Sequence, residues 1–190
     1  PTLQRFLGPQ RRIYIVTHFN HPRELTNVAL LAVRKLLRAG MILANQTPLI
    51  RGVNDRPDVL AQLFRKLSFG GVPPYYIFQI RPAVGNRPFA VPVEEGYRIF
   101  ERAKARVSGL AKRARFVMSH ASGKIEVVGL TYDLIFFKYH RSARREDSGR
   151  FLAFKRNPDA YWFDDYSDPV FDAPVIRKKK TSARHTGPVN

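Results

Sequence analysis

Residues 41–71 decide the fold: Met41-Ile42-Leu43-Ala44-Asn45-Gln46-Thr47, then the loop Arg51-Gly52-Val53-Asn54-Asp55, then an amphipathic run from Pro57 to Gly71. Met41–Ala44 is the short apolar run that a buried strand needs. Asn54 or Asp55 stands where a helix cap belongs, and Pro57 suits a first turn. Val59, Leu60, Leu63, Phe64 and Leu67 then recur at helical spacing until Gly70-Gly71 breaks the period. A strand followed at once by a helix with one apolar face implies a layered α/β structure.

The same rhythm extends in both directions. Upstream, Arg12–Thr17 reads as a strand and His18–Pro22 as its polar loop. Pro22–Ala39 reads as a helix with Leu25, Val28, Ala29, Ala32, Val33 and Leu36 inward, closed by Gly40. Downstream come a strand at Tyr75–Ile80, a helix from Val93 to Ala111 with Tyr97, Phe100, Val107 and Leu110 inward, and a strand at Arg115–Met118. Strands alternating with helices predict a parallel sheet built from βαβ units. After His120 the rhythm changes to consecutive strands at Gly123–Gly129, Thr131–Tyr139 and Phe151–Lys155, which predict a small β appendage. From Asp168 onward Pro, Asp and basic residues dominate. The expected division is therefore 1–122 for the βα units, 123–167 for the β-rich extension and 168–190 for a basic, flexible tail.

The chain has 190 residues, 44% of them hydrophobic, which is enough apolar material for one globular domain. Thirty-three Lys and Arg against fifteen Asp and Glu give a formal charge of +18, a field that draws phosphates, nucleic acids and other anions. Arg177, Lys178, Lys179, Lys180 and Arg184 carry only five of those charges, so most of the excess belongs to the body of the chain. There is no cysteine, which removes disulfides, thiolate catalysis and cysteine-held metal clusters from these residues. No apolar run approaches the roughly 20 residues that span a bilayer, so a cytoplasmic protein with no membrane partner is expected.

Ligands of parallel α/β sheets collect at the C-terminal ends of the strands, where loops and helix N-termini converge. Each predicted strand here ends in a polar cluster: Thr17–His21, Asn45-Gln46, Gln79–Arg81 and Ser119–Lys124. These four are expected to face one common site, the alternative for each being an ordinary loop. His18 and His21 could instead hold a hydrogen-bonded turn, and a metal site there lacks a third ligand.

Three segments together resemble the lysine 2,3-aminomutase family, enzymes that combine S-adenosylmethionine radical chemistry with pyridoxal phosphate. They are Thr17-His18-Phe19-Asn20-His21-Pro22, the stretch from Asn45-Gln46-Thr47-Pro48 through Arg51-Gly52-Val53-Asn54-Asp55, and Pro74-Tyr75-Tyr76-Ile77-Phe78-Gln79. The likeness covers residues 10–130. It implies the C-terminal part of a partial parallel β/α barrel of the radical SAM type, and an isomerase that shifts an amino group between C2 and C3 of an amino acid. It places His18 and Gln46 beside S-adenosylmethionine, their imidazole and carboxamide supplying fixed donors and acceptors.

Lys124, in Ser119-His120-Ala121-Ser122-Gly123-Lys124-Ile125, matches the lysine that holds pyridoxal phosphate. A lysine amine condenses with an aldehyde when its surroundings lower its pKa, and small residues before it allow close approach. The family's run of glycines is reduced here to Ser122-Gly123, and the alternative is a surface lysine. Arg81 stands where lysine-specific members carry an aspartate, and Ser119 or Met118 replaces a second one. That inversion implies a substrate with a carboxylate side chain, such as glutamate, unless Arg81 serves a structural ion pair.

The family's Cys-x3-Cys-x2-Cys motif, which binds its [4Fe-4S] cluster, is absent, and the family places it before the segment resembling Arg12–Asn20. The chain, whose first residue is Pro1 rather than Met, is therefore expected to lack an N-terminal half that supplies the cluster and covers the edge at Arg12–Thr17, and to be inactive alone. It is expected to hold no metal of its own. The implied partners are an amino-acid substrate, that missing half and a further copy in a homo-oligomer. A basic nucleic-acid-binding protein and a catalytically silent relative are the rival readings.

Overall fold

The computed structural model describes residues 3–173 and Val175; the run Arg177–Lys180 with Arg184 lies outside the described residues. In chain order the elements are β1 Tyr14–Thr17, α1 Asn27–Arg38, β2 Ile42–Pro48, α2 Pro57–Phe69, β3 Pro74–Phe78, α3 Val93–Ala105, β4 Arg115–His120, β5 Gly123–Leu130, β6 Leu134–Ser142, β7 Phe151–Lys155 and β8 Phe171–Ala173. All eight strands form one sheet in sequential order. β1 to β4 pair in parallel, as the helical crossovers demand, and β4 to β8 pair antiparallel, as their short turns allow. Part of the stretch expected as tail is thus β8.

The segment expected as a β appendage does not stand apart. Val33, Leu43, Leu60, Phe64, Ile77, Phe100 and Phe116 share one buried cluster with Ile125, Val127, Ile135, Phe137, Leu152, Phe154 and Trp162. One apolar layer therefore runs under both the parallel and the antiparallel strands. Neither half buries its apolar face without the other.

Three local expectations need correction. α1 starts at Asn27 rather than Pro22, because Thr26 caps it by accepting from the Ala29 backbone N at 3.2 Å and because Glu24 Oε1 first accepts from the backbone N of Asn20 and His21. With that start Leu25 is buried ahead of the helix, Val33 is the buried residue of α1 with Leu30, Leu36 and Leu37 partly buried beside it, and Val28 is 78% exposed. Neither Asn54 nor Asp55 caps α2: Arg56 holds the cap position without a side-chain bond, and Asn54 is committed to the loop core. α3 ends at Ala105 and a tight turn at Gly109–Lys112 follows, so Leu110 faces solvent and Ala111 takes the buried place.

A buried carboxylate joins the two halves. Glu94, in the first turn of α3, is 1% exposed; its Oε2 accepts from Arg98 Nη2 at 3.1 Å and from Arg156 Nε and Nη2 at 2.9 and 2.7 Å. Its Oε1 accepts from the Asn157 backbone N at 3.0 Å. A negative charge at this helix start is also favoured by the helix dipole.

The other side of the sheet is different. Tyr14, Val16 and Ile42 are 70%, 47% and 41% exposed, and among the described residues no helix covers them. β1 is an edge strand, paired there only with β2. Among the described residues no helix is long and apolar enough to cross a membrane.

Replacing Glu94 by Ala leaves two guanidinium groups and one backbone N–H without their acceptor. The expected loss is about 2–3 kcal/mol of unfolding free energy, read from the urea midpoint at unchanged slope, with Glu94→Gln losing less.

Candidate functional site

Side chains of a strand alternate between faces, so fixing one residue fixes its neighbours. At the ends of β1 and β2 that residue is Asn45, which is 1% exposed on the helix side. Its Oδ1 accepts from Thr17 Oγ1 and from the Phe19 backbone N, both at 2.8 Å; its Nδ2 donates to Phe19 O at 3.0 Å and to Thr47 Oγ1 at 2.8 Å. Thr47 in turn donates to Phe19 O at 2.8 Å. His18 and Gln46 are thereby turned to the opposite, open side, where the Gln46 amide nitrogen lies 2.5 Å from His18 Nε2. Asn54 secures the loop beyond by donating to Asn20 O and Pro48 O, both at 2.9 Å.

The open side continues through β3. Gln46 is in register with Tyr76, and Tyr75 is an extra residue bulged between Pro74 and Tyr76. The bulge brings the Tyr75 and Tyr76 rings to 3.9 Å and their hydroxyls to 3.0 Å. Tyr76 and Val117 are buried yet lie outside the helix-side cluster, as expected for residues lining the open side.

Lys124, on β5, extends over the same surface. Its Nζ lies 4.9 Å from the Tyr76 ring centre and 4.6 Å from that of Phe78. Among the described residues it makes no ion pair. Desolvation holds its pKa below the usual 10.5, with the positive charge of Arg141 acting in the same sense and Tyr75 against it. The aromatic faces favour an ammonium, but burial prevails. A half-buried amine with no carboxylate partner and a depressed pKa is suited to attack a carbonyl.

A polar chain backs this wall. Arg115 Nη1 donates to Glu126 Oε2 at 2.8 Å and reaches His140 Nδ1 at 3.4 Å; His140 Nε2 lies 2.8 Å from the Tyr76 hydroxyl. A guanidinium can only donate, so Nδ1 accepts, Nε2–H donates to Tyr76, and Tyr76 donates onward to Tyr75. The chain is complete only with a neutral imidazole. Burial first, and Arg115 second, lower the His140 pKa from 6.5 accordingly.

The turn before Lys124 is held by side chains. His120 Nδ1 lies 2.7 Å from Ser122 Oγ and accepts from the Ser122 backbone N at 3.1 Å; His120 Nε2 lies 2.9 Å from Asp164 Oδ1, and Ser122 Oγ lies 2.9 Å from the Tyr139 hydroxyl. Gly123 has φ +141°, and a Cβ there would sit 2.2 Å from Arg141 O. The small residue is required by the neighbouring strand rather than by a bound molecule.

Of the residues singled out from the sequence, the structure brings His18 and Gln46 into contact, and Gln46 adjoins Tyr76, which underlies Lys124. Ser119 is exposed on β4 as the register partner of Lys124. Arg81 lies beyond the end of β3; its side chain is exposed, makes no ion pair among the described residues, and its carbonyl accepts from Asn86 Nδ2 at 2.6 Å. Gln79 does not face the site: it is 3% exposed and donates to Val91 O and Tyr161 O. Thr17 and Asn45 are likewise structural, and His21 Nδ1 accepts from the Arg23 backbone N within its own turn. The sequence reading missed Phe78, Arg115, Glu126 and His140. The period of two in β3 and β5 hinted at Phe78 and Glu126, whereas Arg115 on β4 and the bulged His140 on β6 carried no local signal.

Among the described residues this open face carries, on β5, a lysine without an ion pair laid over the rings of Tyr76 and Phe78. No family model matches the chain. It is 52% identical over 160 residues to a putative L-lysine 2,3-aminomutase of Aquifex aeolicus (strain VF5), an alignment covering 84% of this chain and 43% of that protein. It is 40% identical over 178 residues to the L-lysine 2,3-aminomutase of Fusobacterium nucleatum, covering 94% and 40%, and 40% identical over 99 residues to the glutamate 2,3-aminomutase of Clostridioides difficile (strain 630), covering 52% and 24%. A solved radical SAM methyltransferase from Sphaerobacter thermophilus matches 61% of this chain and 36% of its own at 24% identity and a TM-score of 0.40. The chain belongs to the lysine 2,3-aminomutase family. It spans less than half the length of the curated relatives named here.

The His140 shift has a measurable sign. Above pH 6.5 the imidazole is neutral in both folded and unfolded chains; below it the unfolded chain takes up a proton that the folded one resists, so stability falls as pH falls toward the lower folded pKa. Urea unfolding at about pH 7.5 and about pH 5.5 should show a larger stability loss in the native protein than in His140→Gln, which cannot titrate.

Proposed function

We propose that this chain supplies the C-terminal part of an aminomutase that moves an amino group between C2 and C3 of an amino acid, with Lys124 as the residue that holds pyridoxal phosphate. The observation that carries the reading is the Lys124 amine, unpaired among the described residues, partly desolvated and laid over Tyr76 and Phe78. An aldehyde-bearing aromatic ring fits that setting, since the amine can lose its proton there and the two rings present a flat apolar floor. The helix-covered parallel strands with an uncovered opposite side suit the wall of a β/α barrel of the radical SAM type.

Pyridoxal phosphate, when bound, supplies a ring that delocalises an unpaired electron beside the migrating nitrogen. S-adenosylmethionine with a [4Fe-4S] cluster would supply radical chemistry, and the absence of cysteine puts the cluster's ligands outside these residues. Within the chain, Lys124 binds and releases the carbonyl, while Tyr76 and Phe78 orient it and exclude water. His18 and Gln46, held together at the ends of β1 and β2, present an imidazole and a carboxamide to S-adenosylmethionine. Ser119 offers a hydroxyl opposite Lys124.

Arg81 selects the substrate side chain. Its exposed guanidinium, unpaired among the described residues, can receive a carboxylate through two parallel hydrogen bonds, which favours a glutamate-like substrate over lysine. Relatives named for each of these amino acids occur among the matches.

Reduction with borohydride in the presence of pyridoxal phosphate should attach the cofactor to Lys124, located by peptide mass analysis; unchanged labelling in Lys124→Ala would remove the assignment. In the complete enzyme, glutamate should be turned over in preference to lysine. Arg81→Asp should lower kcat/KM for glutamate about ten- to a hundredfold, and preference for lysine in the native enzyme would overturn the substrate reading.

A further inference from the structure

β5 and β6 pair as Gly123 with Ser142, Lys124 with Arg141 and then Ile125 with Tyr139, so His140 is an extra residue bulged out of the ladder. In a regular strand Arg141 would share the face of Tyr139, which is 8% exposed in the helix-side cluster. The bulge changes that. Arg141 becomes the direct cross-strand partner of Lys124, and such partners project to the same side with about 5 Å between their Cβ atoms. His140, reaching the Tyr76 hydroxyl at 2.8 Å, marks that side as the one that carries the aromatic floor.

Two cations directly opposed across an antiparallel pair repel each other. Among the described residues no acid relieves it: neither Lys124 nor Arg141 makes an ion pair there, and Glu126, the acid nearest along β5, is held by Arg115. Arg141 is exposed, so its guanidinium is open to a ligand. A molecule carrying an aldehyde at one end and a dianion at the other answers both groups at once. The Lys124 ammonium gives its proton to solvent and the free amine condenses with the aldehyde, forming a C=N bond and releasing the carbonyl oxygen as water, while the guanidinium forks onto the phosphate oxygens.

We propose that Arg141 holds the phosphate group of pyridoxal phosphate beside Lys124, an inference that rests on Lys124 being the carbonyl-binding lysine. The same guanidinium could in principle receive the carboxylate of the amino-acid substrate, so the test must separate the two anions.

Adduct formation at Lys124 is measured by absorbance and borohydride trapping, with pyridoxal phosphate and with pyridoxal, in the native protein, Arg141→Gln and Arg141→Lys. Arg141→Gln should weaken apparent affinity for pyridoxal phosphate about ten- to a hundredfold and leave pyridoxal unchanged, which also shows that the site is still folded. Arg141→Lys should recover part of the loss, and inorganic phosphate should compete with pyridoxal phosphate in the native protein but not in Arg141→Gln. Unchanged affinity for pyridoxal phosphate in Arg141→Gln, with weakened retention of the amino acid, would assign Arg141 to the substrate and overturn the proposal. An equal loss for both aldehydes would overturn it as a folding effect. Absence of any Lys124 adduct in the native protein would instead remove the reading of Lys124 itself.

Discussion

The Asn45 carboxamide is the constraint on which the arrangement of the open face depends. It is buried among groups that need partners, and it satisfies donors and acceptors from β1, β2 and the loop after β1 together. A one-residue slip of β2 would bury Gln46 in its place and leave Thr17, Thr47 and the Phe19 amide unpaired, at about 1–3 kcal/mol for each buried polar group. Because strand side chains alternate, the bonds that hold Asn45 inward also hold His18 and Gln46 outward.

Two bulges then complete the face. The extra residue Tyr75 packs a second ring against Tyr76, and the extra residue His140 steers Arg141 across from Lys124 while bonding the Tyr76 hydroxyl. Their combined effect is electrostatic as well as steric. The surroundings of Lys124 hold rings, hydroxyls and positive charge, while Glu126 is taken by Arg115. The amine is thus kept short of counter-charge, the condition in which a lysine works as a nucleophile.

The antiparallel strands make this possible by sharing the core of the parallel ones. Lys124 is carried on β5, between β4 and β6, above residues packed with those of α2 and α3, and Glu94 ties the start of α3 to the chain after β7. A lysine on a strand inside a sheet is positioned more firmly than one on a loop. The His120, Ser122 and Asp164 contacts tighten the turn that leads into it.

Much of this was legible in the amino-acid order. The apolar periods of residues 57–67, the β-branched run before Thr17 and the Pro/Gly breaks mark three strand–helix units and a fourth strand, and the segments around His18, Gln46 and Tyr76 carry the family likeness. Those signals are local, set by a residue's own backbone preference and its neighbours three or four positions away. Which side Gln79 would face, that Val28 and Leu110 would meet solvent, that Asn54 would brace a loop instead of capping a helix, and that Gly123 would be required by the carbonyl of Arg141 depend on partners distant in sequence. The sequence by itself determined the elements, their order and the residues able to do chemistry. The tertiary structure decided which of those residues share a face, because strand register and two single-residue bulges, invisible to any local pattern, choose the side on which each side chain emerges.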